Sequence, residues 1–252
     1  MQVPLRLTAE IFKAKMARLV RGDAAASLIL RLCAPVSADS EDGAILTREE
    51  DAIVASVQAS ASPIVWFGGS EPLLYSGMGH LTRRIVDLDR TVFVETDGVL
   101  LRRHIFSFRP IARLFLVVQL NGSERAHDRR VGRAGLWRTA MEGIRAARLS
   151  GFMVCAKTKI FEDTTLEEVR RLRELTEELG VDGWMITASD RTDAVAKVVA
   201  ESREMAGRSW ANFSSMVELS EAELVVQGED TDANVFSREE PQEEVEEGVR
   251  VP

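Results

Sequence analysis

Six short apolar runs recur through the middle of the chain, each separated from the next by a stretch long enough to form a helix. The runs do not alternate between apolar and polar residues, which is typical of strands buried on both faces of a parallel sheet. Six consecutive strand–helix units fold either as a partial (β/α)6 barrel or as a doubly wound sheet. The runs are Ser27–Leu32, Ile64–Phe67, Val92–Glu95, Leu114–Leu120, Met153–Thr158 and Gly183–Ile186.

Signals for helices lie between these runs. Thr47 followed by Glu50, and Thr164 followed by Glu167, have the spacing of a capping box, in which side chains satisfy the free N–H groups of a first helical turn. Another segment predicts a helix near Asp193–Met205, after the sixth run. The sequence therefore predicts an α/β domain whose crossovers are helical.

The net charge of −8 is concentrated at one end of the chain. Residues 228–252 hold nine acidic and two basic side chains, a net charge of −7, so the other 227 residues sum to −1. That composition predicts a disordered acidic tail after a folded domain. We place the domain at 23–206 and expect 207–227 to dock as a helix or to add a short edge strand at Leu224–Val226. No basic patch with interleaved aromatic residues is present, which predicts no nucleic-acid binding.

The opposite end of the chain, residues 1–22, has the pattern of an amphipathic helix. It carries five basic side chains against Glu10 alone, and four large apolar residues share one helical face. Two interpretations stay open, a helix lying on a membrane surface and a helix packed on the body of the domain. The four apolar residues are Leu5, Phe12, Met16 and Leu19.

The sequence also bears on where the protein resides. No apolar run approaches the roughly 20 residues that span a bilayer, and Lys13 and Lys15 interrupt the one candidate for a secretory signal. Two cysteines, Cys33 and Cys155, are too few for a disulfide framework. We therefore expect a cytoplasmic protein, with peripheral membrane contact through residues 1–22 as the alternative.

The residues after each apolar run form the candidate site, because ligands bind at the carboxyl ends of strands in both architectures. Gly68 and Gly69 follow the second run and let a ligand approach the backbone. Glu71 adds a carboxylate that could hold an ammonium group. Thr96 and Asp97 follow the third run.

Polar residues also lie at the ends of the fourth and fifth runs. Gln119 and Asn121 stand at the end of the fourth, and Lys157 stands in the fifth. A lysine in a low-dielectric pocket would repel a cationic ligand unless a carboxylate, Asp97 or Glu95, pairs with it.

Several of these segments resemble, in the same order, the radical S-adenosylmethionine (radical SAM) enzymes. Their Gly-Gly-Glu-Pro motif is similar to Gly68-Gly69-Ser70-Glu71-Pro72, which has one serine inserted. Their third-strand turn resembles residues 96–101, and their fourth-strand segment resembles residues 120–128. The likeness covers roughly residues 1–190 and is nearest to the adenosylhopene synthase type of hopanoid biosynthesis. It implies a partial (β/α)6 barrel and a site for S-adenosylmethionine at Gly68, Gly69, Glu71, Thr96, Asp97, Gln119, Asn121 and Lys157. Three of these positions depart from the family: Asp97 replaces an amide, Asn121 an aspartate and Lys157 a polar uncharged residue.

The sequence departs from this family at the iron–sulfur cluster. The family uses three cysteines spaced Cys-x3-Cys-x2-Cys after the first strand, whereas here Ser37 and Ser40 stand at the spacing of the second and third from Cys33. Either two thiols have become hydroxyls, or Cys33 ends the strand and the cluster-binding segment has been rebuilt or lost. Hydroxyls are poor ligands for such clusters, and Cys155 is interpreted as a small buried residue. We therefore expect no [4Fe–4S] cluster and no metal site.

These observations predict a radical-SAM-like pseudoenzyme that binds a ligand or regulates a protein partner, through the barrel mouth or the acidic tail, with a link to lipid or terpenoid metabolism. One alternative is a cluster-free enzyme that binds S-adenosylmethionine or a related nucleotide, and another is an active radical SAM enzyme. No catalytic residue is assigned. The candidate binding or acid–base groups are Glu71, Asp97, His127, Asp128 and Lys157, although His127 and Asp128 also have the pattern of residues that orient a loop before a helix.

Overall fold

The computed structural model describes residues 2–21, 27–35 and 43–226. Its centre is one sheet of parallel strands whose order, β1 to β6, follows the chain. A doubly wound sheet reverses its order at a switch point, so the structure selects the curled partial barrel from the two predicted architectures. The strands are β1 (Ile29–Leu32), β2 (Ile64–Phe67), β3 (Thr91–Thr96), β4 (Leu114–Gln119), β5 (Met153–Ile160) and β6 (Gly183–Ala188).

All six apolar runs form strands. The largest differences are of two residues and lie in β1, which begins at Ile29, and in β5 and β6, which continue to Ile160 and Ala188 because their pairing extends that far. The residues of β2 and β3 are buried on both faces, as the runs without alternation predict.

The helices cover the crossovers between strands. They are α1 (Leu5–Arg21), α2 (Gly43–Ala59), α3 (Met78–Asp87), α4 (Leu101–His104), α5 (Glu124–Val131), α6 (Leu136–Leu149), α7 (Leu166–Glu178), α8 (Asp193–Ala206) and α9 (Arg208–Val226). Short 3-10 turns occur at Pro72–Leu74 and Ile105–Ser107.

Two helix starts differ from the capping-box prediction. Helix α2 begins at Gly43, so Thr47 lies inside the helix. The cap of α7 is Thr165, whose hydroxyl accepts a hydrogen bond from the N–H of Glu168. Thr164 instead accepts from the N–H of Phe161 and closes the preceding turn. Two adjacent threonines offer the same local pattern, so the sequence does not distinguish between them.

Helix α9 lies on the concave side of the curled sheet. It contacts both edge strands, β1 and β6, and its Phe213 ring packs 5.2 Å from the ring of Phe93 on β3. A Cβ on Gly183 of β6 would overlap the ring of Trp210. The edge strand expected at Leu224–Val226 is wrong, because α9 continues as a helix to Val226.

Helix α1 covers the amino ends of the strands. Leu7 is buried, and Glu10 forms an ion pair with Arg113 at 3.0 Å and accepts a hydrogen bond from the hydroxyl of Thr91. Thr91 begins β3 and Arg113 directly precedes β4. The helix therefore packs on the domain, as one of the two interpretations predicts, but through a different face from the one the sequence singled out. That predicted face is exposed: Leu5, Phe12, Met16 and Leu19.

Two sequence predictions lie outside the described residues. These are the acidic tail at 228–252 and the part of the first loop that contains Ser37 and Ser40. Among the helices that are described, none combines the length and the apolar character that crossing a bilayer requires.

Candidate functional site

The turn after β2 brings the chain close to the end of β1. Gly69 has a φ of +89°, a conformation that favours glycine. A Cβ on Gly69 would lie 3.2 Å from the Sγ of Cys33, and one on Gly68 would lie 3.4 Å from Oε2 of Glu95. The two predicted glycines therefore let this turn pass directly over the carboxyl ends of the strands.

Glu71 ties the end of β2 to the end of β3. Its Oε1 accepts a hydrogen bond from the N–H of Leu73 at 2.9 Å. Its Oε2 accepts from the hydroxyl of Thr96 at 2.9 Å and from the N–H of Asp97 at 3.0 Å. The structure thus brings the predicted residues Glu71, Thr96 and Asp97 together.

Burial and the nearby negative charge of Asp97 raise the pKa of Glu71 from 4.5 to about 7. Neither carboxylate makes an ion pair with a cationic side chain in the part of the chain that the structure describes. We call Glu71 and Asp97 the acidic pair. No cationic side chain among the described residues balances its negative charge, an arrangement that would favour a cationic group.

A second set of polar residues lies inside the barrel. Lys157 of β5 is only 2% exposed, and its Nζ lies 2.8 Å from Oε1 of Glu95 on β3. Glu95 also accepts hydrogen bonds from the indole of Trp66 on β2 at 2.8 Å and from the amide of Gln119 on β4 at 2.9 Å. Glu95 is therefore the partner of Lys157, one of the two carboxylates that the sequence suggested.

Helix α9 completes this interior set. Oε1 of Glu221 lies 2.6 Å from Nζ of Lys157 and 3.1 Å from Nη2 of Arg31 on β1. Arg31 also donates to the hydroxyl of Ser220 and to the carbonyl of Val217, both on α9. We call Arg31, Glu95, Lys157 and Glu221 the interior network.

The charges of the interior network stabilise one another. Burial alone would raise the pKa of Glu95, but Lys157, the indole of Trp66 and Arg31 bring it below its ordinary value. Burial alone would lower the pKa of Lys157, but Glu95 and Glu221 raise it. For Arg31, burial outweighs the effect of both carboxylates and lowers the pKa. Two cations therefore face two carboxylates, and the network is neutral.

Asn121, a predicted cofactor residue, forms its hydrogen bonds within the protein. Its Oδ1 accepts a hydrogen bond from the N–H of Lys159, and its own N–H donates to Nδ1 of His127. Burial lowers the pKa of His127. Asp128 accepts hydrogen bonds from the N–H groups of Gly135 and Trp137 at the start of α6. His127 and Asp128 thus orient the loop after β4.

Sequence reasoning missed Arg31, Trp66 and Glu221 as members of the site. Arg31 carried a signal, because a single charge within an otherwise apolar strand must find a partner. Trp66 and Glu221 carried none. Tryptophan is common in cores, and the position of Glu221 depends on where α9 docks.

The described residues do not fit a cluster held by three thiolates. The sequence supplies two cysteines. Cys33 is exposed after β1, whereas Cys155 is fully buried on β5, where burial raises the pKa of its thiol. These strands are not neighbours in the sheet. Among the described residues, no group of three or more His, Cys, Asp or Glu side chains could hold a metal ion.

Solved structures share this architecture. The chain is 11% identical to Streptococcus suis SuiB bound to S-adenosylmethionine, with a TM-score of 0.56 over 85% of this chain and 48% of SuiB. SuiB bound to its precursor peptide SuiA gives 13% identity and a TM-score of 0.55, over 85% of this chain and 50% of that one. At these identities the likeness concerns the fold alone.

One curated relative is the AdoMet-dependent heme synthase of Methanosarcina barkeri, 27% identical over 146 residues, which are 57% of this chain. The chain spans 42% of the length of that relative. A family model described as "Radical SAM superfamily" matches residues 33–176, the segment that contains β2 to β5 and the Gly-Gly turn. With parallel strands in barrel order and the motifs at their carboxyl ends, this match shows that the chain belongs to the radical SAM superfamily.

Proposed function

We propose that this protein is a pseudoenzyme of the radical SAM superfamily, which acts by binding a ligand or a partner protein rather than by iron–sulfur radical chemistry. The observation that carries the proposal is the filling of the barrel's concave side by the chain's own helix α9. Phe213 of that helix packs on the middle of the sheet, and Glu221 closes the interior network.

The interior network supports this proposal through its charge balance. Its four charged groups already satisfy one another, and Lys157 is almost completely buried. Removing one partner of a buried ion pair lowers the free energy of unfolding by several kcal/mol, because the other charge is left buried without a partner. Opening this interior to a substrate would therefore require α9 to leave and two buried cations to lose a carboxylate.

The cysteine content supports it independently. Three thiolates hold a cluster that binds S-adenosylmethionine in the family that the sequence resembles, and this chain supplies one exposed thiol near the turn after β2. Oxygen ligands from serine are hard donors and do not replace thiolates on such clusters.

The test is anaerobic reconstitution of the full chain with iron and sulfide, with Cys33→Ser as the matched control. We expect substoichiometric iron and no difference between the two proteins, because no thiolate cluster forms. About four irons and four sulfides per wild-type chain, lost in Cys33→Ser, would overturn the proposal in favour of an active radical SAM enzyme.

A second candidate function, cluster-free binding of S-adenosylmethionine or a related nucleotide, is favoured by the acidic pair. Glu71 and Asp97 lie at the carboxyl ends of β2 and β3 without a cationic partner among the described residues. The ammonium group of such a ligand would lower the pKa of Glu71 and balance its charge.

Calorimetry distinguishes the two candidates. S-adenosylmethionine and S-adenosylhomocysteine are titrated into the wild type and into Glu71→Gln, which keeps the shape of the side chain and removes its charge. Saturable binding that Glu71→Gln weakens supports the second candidate. If neither compound binds, the first candidate remains, with a different ligand or a protein partner.

The metabolic pathway of this protein is a hypothesis that rests on resemblance. The motifs resemble those of adenosylhopene synthases, whereas the curated relative is a heme synthase. We therefore retain the link to lipid or terpenoid metabolism as a hypothesis.

A further inference from the structure

Helix α1 has two apolar faces, and the domain covers one of them. Leu7 is buried against the domain and Ile11 packs partly against it. On the opposite face, five large apolar side chains are exposed: Leu5 (87%), Phe12 (64%), Met16 (44%), Leu19 (77%) and Val20 (83%). At 3.6 residues per turn they occupy about 100° of the helix circumference. We call these five residues the α1 stripe.

Basic side chains border the α1 stripe on both edges. Lys13 and Lys15 are exposed and, on a helical projection, lie on either side of the stripe. Arg6 lies beyond Lys13 and pairs with Glu10 at 3.4 Å. The acidic side chain of the helix, Glu10, is turned inward to Arg113, and the exposed Asp89 lies 3.9 Å from Arg6, so the positive charge that faces outward beside the stripe is that of Lys13 and Lys15.

We propose that the α1 stripe is a docking surface for an anionic lipid membrane. Apolar side chains between lysines are what a helix lying in the plane of a membrane interface requires, with the apolar residues among the acyl chains and the lysines at anionic headgroups. An exposed apolar patch of this size on one face of a helix marks an interaction surface.

Two other occupants fit less well. The chain's own acidic segment, residues 228–252, offers opposite charge but few large apolar residues. A second copy offers an apolar stripe but brings like charges, Lys13 and Lys15, against each other. Anionic lipid offers both an apolar interior and negative charge.

The position of α1 fixes how a membrane-bound chain would be oriented. Glu10 holds the helix to Thr91 and Arg113 at the amino ends of the strands. The acidic pair lies after β2 and β3, at the carboxyl ends. A chain bound through the α1 stripe therefore keeps the acidic pair on the side away from the bilayer.

The experiment is co-sedimentation of the full chain with vesicles of phosphatidylcholine, with and without phosphatidylglycerol. We expect saturable binding to the anionic vesicles that weakens as salt is raised. Phe12→Ser should reduce the affinity on the order of tenfold through lost apolar burial, and replacing Lys13 and Lys15 by serine should reduce it roughly fivefold per lysine.

The matched control is Phe106→Ser, because Phe106 is 89% exposed and lies outside the stripe. It should bind like the wild type, and both phenylalanine variants should unfold at the wild-type midpoint. Absence of wild-type binding, or equal effects of the two phenylalanine variants, would overturn the proposal. Concentration-dependent dimerisation that Phe12→Ser abolishes, without vesicle binding, would assign the stripe to a second copy instead.

Discussion

The acidic pair and the interior network both lie toward the carboxyl ends of the strands, yet their charges are balanced in different ways. In the interior network, two cations and two carboxylates sum to zero and are closed by helix α9. In the acidic pair, Glu71 accepts a hydrogen bond from the backbone N–H of Asp97, and burial together with the negative charge of Asp97 raises the pKa of Glu71 to about 7. The chain itself therefore balances the charges of the interior, whereas the acidic pair keeps a charge that a ligand could balance.

Breaking the interior network should have the largest effect. Lys157→Met keeps an unbranched side chain but leaves Glu95 buried without its closest cation. We expect a loss of about 3–5 kcal/mol in the free energy of unfolding, measured by urea denaturation. The double variant Glu95→Gln with Lys157→Met removes both charges and should recover much of that loss. Equal losses in the single and double variants would mean that the pair is not coupled.

The docking of α9 can be disturbed from the sheet. Gly183→Ala places a Cβ against the ring of Trp210, and overpacking of this kind costs about 1–3 kcal/mol. The matched control is Gly132→Ala, where no atom lies within 4 Å of the new Cβ and only the positive φ of 71° is penalised. An effect of Gly183→Ala no larger than that of the control would contradict the position of α9.

The contribution of Glu221 should be smaller, because its side chain is 30% exposed and Lys157 retains Glu95. Glu221→Gln should cost about 1–2 kcal/mol through weaker hydrogen bonds to Arg31 and Lys157. Glu142→Gln removes a carboxylate from an exposed pair with Arg102 and should change stability by less than about 1 kcal/mol. Thermal or urea unfolding of both variants measures the difference.

The smallest expected effect is the pH dependence of stability, which differs between the acidic pair and the interior network. The pKa of Glu71 is raised from 4.5 to about 7 in the folded state, so its contribution is present below pH 4.5 and is lost as pH rises toward 7. The pKa of Glu95 is lowered, so its contribution is present above 4.5 and is lost as pH falls.

Glu71→Gln mimics the protonated carboxyl group. Relative to this variant, the wild type should lose stability between pH 4.5 and about 7, by on the order of 1 kcal/mol after solvent screening. Urea unfolding at both pH values measures it. A stability difference that does not change with pH would mean that Glu71 titrates normally.

Much of the fold could be predicted because short apolar runs in the sequence mark the strands. A strand buried on both faces of a sheet is a short apolar run, so the runs Val92–Glu95 and Gly183–Ile186 predict the bounds of β3 and β6 to within two residues. Helix starts were less certain because Thr164 and Thr165 offer the same cap.

The site could be predicted only in part. Glu71, Thr96 and Asp97 follow consecutive strands and meet as expected. Glu221 is distant in sequence from Lys157, and their contact depends on α9 docking inside the barrel, which a helical pattern does not specify. The exposed face of α1 shows the same limit, because that helix has two apolar faces and the sequence does not indicate which one packs.

Hydrogen exchange of the full chain tests most directly whether α9 fills the barrel. We expect backbone amides between Trp210 and Glu221 to be protected to the same degree as those of β3 and β4, because the helix opens only when the sheet unfolds. Amides of this segment that exchange far faster than those of β3 and β4 would show that the interior opens in the native state, and would contradict the assignment of the network as structural.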